Sequence, residues 1–327
     1  MHTLINALRK NAEHTQKGIT FVRSDGREEA FSYRQIWERS HARACFLKER
    51  GIRKGDRVVL ALPEPDDFVL TFFGALVAGA VPVPVYPPQT LARLDAYLAN
   101  LSRIVEVSGT KLIVNGFKSV MADIEVPEAA RALFALPSVG ADEIAAPAYT
   151  GELNLDIGPD DLAFLQFTSG STSSPKGVMV SHGNLAANAK AIMFDGLRAD
   201  GNRDKGVSWL PLYHDMGLIG FVIAPLYALV QVMFLPTMAF IRRPALWLDS
   251  IHRYRASITF APNFAFALAT RAVTESQAAA WDLSCMRALG CGAEPIQADV
   301  LRAFMARFEP NGLRPESILP SYGMAEA

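Results

Sequence analysis

The chain has 327 residues, half of them hydrophobic, with 32 Lys+Arg against 33 Asp+Glu and a net charge of −1. That balance marks neither nucleic acid nor an acidic membrane surface as the main partner. Three cysteines (Cys45, Cys285, Cys291) with no CxxC pair argue for a reducing compartment and against a disulfide framework or a zinc site.

Taken in order, the first 18 residues read as an amphipathic helix with scattered charges, a poor match to a signal peptide. Ser32 can cap a helix through Arg50, with Tyr33, Ile36, Trp37, Ala44 and Leu47 on one face and Gly51 as its stop. RVVLAL (57–62) follows as a strand. Asp66 and Asp67 then open the first of two long uncharged runs, 68–92 and 216–241. Each exceeds a membrane span in length, yet each carries internal Gly and Pro: Gly79, Pro82, Pro84, Pro87 and Pro88 in the first, Gly220, Pro225 and Pro236 in the second. Each therefore splits into a buried helix feeding a buried parallel strand, without a bilayer. A soluble, cytoplasmic protein is the expectation.

Between the two runs, Leu91, Leu94, Leu98, Leu101 and Val105 form one helical stripe, and KLIV (111–114) is a strand. Residues 123–160 are Ala-, Pro- and acid-rich and read as a surface excursion. Further strands are expected at 162–167, 177–181, 206–210, 231–235, 256–260, 286–290 and 316–321, with helical patterns between most of them. This alternation signifies βαβ units, and so many strands imply two stacked α/β subdomains, approximately 56–195 and 1–55 plus 205–327.

Three stretches carry chemistry. TSGSTSSPKG (168–177) leaves the C-terminal end of a strand, where ligands collect in open α/β sheets. Gly170 permits close backbone approach; Thr168, Ser169, Ser171, Thr172, Ser173 and Ser174 offer hydroxyls; Lys176 adds a movable charge, and Gly177 follows it. The chain continues as strand after Lys176, which excludes a P-loop NTPase, whose loop opens into a helix. An ordinary Ser-rich hairpin fits the same residues. WLPLYHDMGL (209–218) sets His214 and Asp215 after a strand; a neutral His there can reach a carboxylate or phosphoryl oxygen, and a capping Asp beside a structural His is the alternative. SYGMAEA (321–327) offers Tyr322 for stacking on a base and Glu326 for a hard cation. No GxSxG elbow occurs, which argues against a serine hydrolase.

These motifs and GCGAEP (290–295), in this order and spacing, resemble the adenylate-forming superfamily of acyl-CoA synthetases, peptide-synthetase adenylation domains and luciferases. Within it the chain looks most like the fatty acyl-AMP ligases, on TSGSTSSPKGV, VPVPVYPP (81–88), residues 240–268, and YGMAE with Ala325 where most acyl-CoA synthetases carry Thr. The resemblance implies an enzyme that activates a fatty acid with ATP and Mg²⁺ to an acyl-AMP and pyrophosphate. The acyl group would then pass to the phosphopantetheine thiol of an acyl-carrier protein serving a polyketide or lipid synthase. A long-chain acyl-CoA synthetase and a non-catalytic nucleotide-binding relative are the alternatives.

It implies a catalytic pair, His214 and Lys176, with 168–177 holding the β- and γ-phosphates and Glu326 holding Mg²⁺. Gly292, Ala293, Glu294, Pro295, Ser321, Tyr322, Gly323 and Met324 would surround the adenylate, and Met216, Ile219, Asn263 and Phe264 would line the acyl pocket. The superfamily continues beyond a segment like 321–327 through a β-rich subdomain and a lid bearing a catalytic Lys. These 327 residues are therefore expected to bind ATP weakly and form little acyl-AMP by themselves.

Overall fold

The computed structural model describes residues 2–88, 94–116, 131–145, 153, 156–168 and 175–326. Among the described residues the strands are β1 (Gly18–Val22), β2 (Glu28–Ser32), β3 (Arg57–Ala61), β4 (Val81–Pro84), β5 (Leu112–Asn115), β6 (Ser138–Gly140), β7 (Leu162–Thr168), β8 (Lys176–Ser181), β9 (Lys205–Ser208), β10 (Gln231–Phe234), β11 (Ile258–Pro262), β12 (Ala288–Gly292) and β13 (Ile318–Pro320). The helices used below are α1 (Leu4–Asn11), α2 (Tyr33–Glu49), α3 (Pro65–Val77), α4 (Leu94–Ser108), α5 (His182–Lys190), α6 (Ala245–Tyr254), α7 (Asn263–Ala272) and α8 (Ala298–Phe308). The fold is α/β, in two compact units.

Unit 1 comprises Met1–Gln16, Ser32–Asn188 and Leu212–His214. Its four-stranded sheet runs β4-β3-β5-β6, and all three pairings are parallel. β7 and β8 form a separate antiparallel pair. The helix starting at Ser32 is confirmed with its mechanism. The Ser32 side chain accepts from Gln35 N–H while the Gln35 side chain accepts from Ser32 N–H, a reciprocal cap. Gly51 takes the left-handed φ of +81° that ends the helix. Of the expected apolar face, Tyr33, Ile36, Ala44 and Leu47 are buried and Trp37 is half-buried. On α4, Leu94, Leu98, Leu101 and Val105 are buried as the stripe requires; Leu91 lies outside the described residues.

Unit 2 comprises Lys17–Phe31, Ala189–Pro211 and Asp215–Ala327. Its seven-stranded sheet runs β13-β12-β11-β9-β10-β1-β2. From β1 through to β13 successive neighbours pair in parallel. Trp247 on α6, Phe266 on α7 and Phe304 on α8 meet as an aromatic cluster, with ring centroids 5.0–6.1 Å apart.

The unit boundaries differ from the expected 1–55, 56–195 and 205–327. The N-terminal segment alternates between units instead of joining the second whole. α2 packs on α3 so closely that a Cβ at Gly74 would lie 2.7 Å from Arg43 Cβ, which carries α2 into unit 1. α1 follows it, since Leu4 N–H donates to His182 Nδ1 at 3.4 Å. Between them in the sequence, β1 and β2 extend the seven-stranded sheet; Glu28 and Glu29 give β2 an edge-strand polarity that hides its alternation in the sequence. The surface excursion at 123–160 also needs correction. Val139 on β6 is fully buried, pairs with Val114 and extends the sheet, while 123–130, 146–152, 154 and 155 lie outside the described residues. Among the described residues, no helix is long and apolar enough to cross a membrane.

Candidate active site

In unit 1 the β7–β8 hairpin positions the candidate phosphate loop. β7 is held by burial of Ala163, Phe164, Leu165 and Gln166, and the register runs Gln166↔Val178, Phe167↔Gly177, Thr168↔Lys176. Thr168 and Lys176 are thus ladder partners at the hairpin mouth, and Lys176 is exposed there. A Cβ at Gly177 would lie 3.0 Å from Phe167 Cζ, so this Gly lets the Phe167 ring cross the strand. The strand-to-strand connection inferred from the sequence is therefore present. Ser169, Gly170, Ser171 and Thr172 lie outside the described residues.

The His214 segment also belongs to this unit. Gln166 Nε2 donates to the Tyr213 carbonyl at 2.9 Å, and the Tyr213 ring meets Tyr86 edge-on at 6.2 Å. His214 itself is exposed. Gln166 was not singled out from the sequence; a lone polar residue in LAFLQF was the available signal.

Unit 2 gathers most of the remaining candidates at the C-terminal ends of its strands, where open α/β sheets bind ligands. Ser321 N–H donates to the Cys291 carbonyl at 2.8 Å, extending the β12–β13 pairing by one step. A Cβ at Gly292 would lie 2.6 Å from the Ser321 carbonyl, so the close approach that Gly292 allows in this structure is that of its neighbouring strand. Ala293 follows with φ +65°, a left-handed conformation rare outside Gly and a local store of strain at the strand exit.

The next turn is tied to α7, whose preceding Pro262 gives no side-chain cap. Glu294 Oε1 accepts from Phe264 N–H at 2.6 Å, supplying a remote cap to orphan helix donors. Asn263 Oδ1 accepts from Gln297 N–H at 3.0 Å, closing a second tie around Pro295. Asn263 is buried; Phe264 is 43% exposed, with its ring edge 6.1 Å from Trp209, which stacks on Phe240 at 3.8 Å. Beyond β13, Tyr322 is 89% exposed, and Gly323, Met324 and Glu326 are exposed as well. Met216 and Ile219 are half-buried, and Met216 N–H donates to Asp215 Oδ1 at 2.6 Å, so Asp215 serves its own turn.

Burial, reinforced by Glu294, pushes the Cys291 thiol up to about 11, which keeps it protonated and a poor nucleophile at neutral pH. Among the described residues no cluster of three or more His, Cys, Asp or Glu could hold a metal by itself. A single exposed carboxylate such as Glu326 fits the way Mg²⁺ is held, by one or two carboxylates and the substrate's phosphates.

The AMP-binding enzyme family matches residues 8–327. The chain belongs to this family. Among its relatives is a Caulobacter vibrioides protein named provisionally as an acyl-CoA synthetase, 39% identical over 91% of this chain and 51% of its own length. The medium-chain-fatty-acid–[acyl-carrier-protein] ligase JamA of Moorena producens is 34% identical over 99% of this chain and 55% of its own. The fatty acyl-adenylate ligase of L. pneumophila, solved with acyl adenylate and pyrophosphate, superposes with a TM-score of 0.88 at 31% identity, over 100% of this chain and 56% of that one. The chain spans about half the length of these AMP-binding relatives.

Proposed function

We propose that the protein carrying this sequence activates a fatty acid: the carboxylate oxygen attacks the α-phosphorus of ATP, the bond to the β,γ-phosphates breaks, and acyl-AMP and pyrophosphate result. The acyl group then passes to the phosphopantetheine thiol of an acyl-carrier protein as AMP leaves. The observation that carries this reading is the Thr168↔Lys176 register, with an exposed Lys at the mouth of a strand-to-strand loop in a member of the AMP-binding family. The strand that begins at Lys176 offers no helix N-terminus for phosphate there, and a long Lys side chain supplies a point charge for pyrophosphate that can follow it as it leaves.

Each unit contributes its own chemistry. In unit 1, Lys176 and the hydroxyls of 168–172 take the β,γ-phosphates, and His214 attends the carboxylate and α-phosphate. In unit 2, Tyr322 and the backbone of 292–295 and 321–324 take the adenosine; Glu326 is the ligand for Mg²⁺, which when bound neutralises phosphate charge. Met216, Ile219 and Phe264 offer apolar surface to the acyl chain. Asn263, already committed to Gln297, acts there by holding the α7 turn. A fatty acid is favoured over an amino acid because the run 216–241 has no Asp or Glu to pair with an α-ammonium, and burying that charge unpaired is costly. The acyl-carrier acceptor is supported by Ala325 and by the JamA likeness, whereas the Caulobacter relative favours coenzyme A as the second reading.

The test is mass spectrometry of the protein with ATP, Mg²⁺ and fatty acids of graded length, each arm offered carrier protein or coenzyme A. Acyl-AMP that discharges onto the carrier is expected, and Lys176→Ala should lower pyrophosphate exchange while hardly altering affinity for preformed acyl-AMP. Absence of acyl-AMP from every carboxylate would leave a nucleotide binder; rapid acyl-CoA would make it a synthetase.

A further inference from the structure

Gln166 occupies the interior of β7, only 4% exposed, between Leu165 and Phe167. Its Nε2 donates to the Tyr213 carbonyl at 2.9 Å and reaches the Phe167 carbonyl only at 3.5 Å, while Oε1 is buried without a hydrogen-bond partner among the described residues. A buried amide oxygen lacking a donor is costly, so for packing alone an apolar side chain of similar size would suit the strand better. The group that gains from the amide is the Tyr213 carbonyl.

That carbonyl lies in Leu212–His214, three residues of unit 1 flanked on both sides, at Pro211 and Asp215, by unit 2. Three residues cannot hold themselves by secondary structure. Buried Leu212 and the Tyr86–Tyr213 ring contact give them apolar adhesion, which is non-directional. The Gln166 bond is directional: it fixes the Tyr213–His214 peptide plane, and with it the direction in which the His214 side chain departs. Two ladder steps along, Thr168 pairs with Lys176, so the same strand carries both the register of the Lys and the anchor of the His.

We propose that Gln166 is a positioning residue for adenylate formation, its amide locking the Tyr213–His214 peptide to the strand that sets Lys176. The chemistry in this inference rests on the function proposed above; the geometry does not.

The experiment compares Gln166→Leu and Gln166→Glu with the parent in the gene product that carries this sequence. It measures kcat and KM for ATP in acyl-AMP formation, melting temperature, and hydrogen exchange of peptides covering 209–218. Misplacement of a catalytic group by about an ångström can cost a hundredfold in rate. Gln166→Leu should therefore lower kcat about ten- to a hundredfold, keep KM for ATP within about twofold, leave the melting temperature nearly unchanged, and speed exchange at the amides of 213–215. In Gln166→Glu only the protonated acid can donate to the Tyr213 carbonyl, and burial raises a carboxyl pKa. Its activity relative to the parent should rise as pH falls from 8 to 6, with the Leu variant's ratio flat. Wild-type kcat together with unaltered exchange in Gln166→Leu overturns the inference, as does one flat pH ratio shared by both variants. If the parent forms no acyl-AMP from any carboxylate, the functional reading fails, and the exchange arm by itself still decides whether Gln166 holds the segment.

Discussion

The two uncharged runs look alike in sequence and serve differently in the structure. In the first, α3 winds regularly and every residue from Phe68 to Val77 is buried before β4 begins. In the second, Asp215–Gly217 is followed by six residues of wide π winding, Leu218–Ile223, then a short α-turn, Ala224–Ala228, and β10. Pro225 has no N–H to give and its ring crowds the preceding turn, which accounts for the irregular winding just ahead of it. The second run also leaves Met216, Ile219, Gly220 and Tyr227 half-buried. Absence of charge thus means a wholly buried helical stretch in one case and a helical stretch with a half-buried apolar flank in the other.

Truncation in the first run should have the largest effect. Phe72 is fully buried, against the rings of Phe68, Phe73 and Phe164. Phe72→Ala should cost about 4 kcal/mol of stability in urea unfolding. Ile219→Ala, removing a half-covered side chain, should cost about 1 kcal/mol or less while shifting acyl-chain preference. Equal losses in the two variants would erase the distinction between the runs.

Acid should also strike the first run's surroundings. Where α3 passes into β4, Leu76, Gly79, Ala80 and Val81 share a small cavity (about 50 Å³) with Lys54, Asp161 and His182. Burial pulls His182 down to about 4; Asp161 opposes this and Lys54 adds to it. The Lys54 ammonium, hydrogen-bonded to Asp161 at 2.7 Å, holds that carboxyl below its ordinary value, so Asp161 stays ionised above pH 4. The unfolded chain takes up a proton on His182 near pH 6.5 and the folded chain near 4, so stability is full above 6.5 and falls as pH drops toward 4. About 2 kcal/mol should be lost between pH 7 and pH 5, measured as the urea midpoint times its slope. His182→Gln should flatten most of that decline, leaving a residue from His41, which burial also lowers. An unchanged slope in the variant would show that His182 is not the group responsible.

Periodicity and capping made the regular parts legible. The α2 cap, the α4 stripe and most of the strands follow from apolar spacing and one Ser, because those forces act within a few residues. The assignment of α1 and α2 to unit 1 was not legible, since it turns on Gly74 meeting Arg43 and Leu4 meeting His182, contacts remote in sequence. At the site, motif order pointed to Lys176, His214 and the strand ends. It did not show that Glu294 and Asn263 tie the 292–297 turn to α7, or that Gln166 anchors Tyr213. A motif records which residue types are present; a hydrogen bond across dozens of residues depends on the register of strands that the motif does not contain.

One glycine from each run offers the sharpest paired test, because the same one-carbon change is expected to have opposite signs. A Cβ at Gly74 would meet Arg43 Cβ at 2.7 Å and the Ser40 carbonyl at 2.9 Å, so Gly74→Ala must push α2 and α3 apart. Overpacking of this kind costs about 1–3 kcal/mol, and backbone on one side leaves little room to relax. A Cβ at Gly220 would meet nothing within 4 Å, and its φ is not in the left-handed region. Gly220→Ala should then stabilise by about 0.4–1 kcal/mol, because Ala surrenders less conformational freedom on folding than Gly. Opposite signs for the same chemical change, read as shifts in urea midpoint, are what two differently packed runs require. A destabilising Gly220→Ala would mean that the second run is as tightly enclosed as the first, and the acyl flank assigned to it would lose its physical basis.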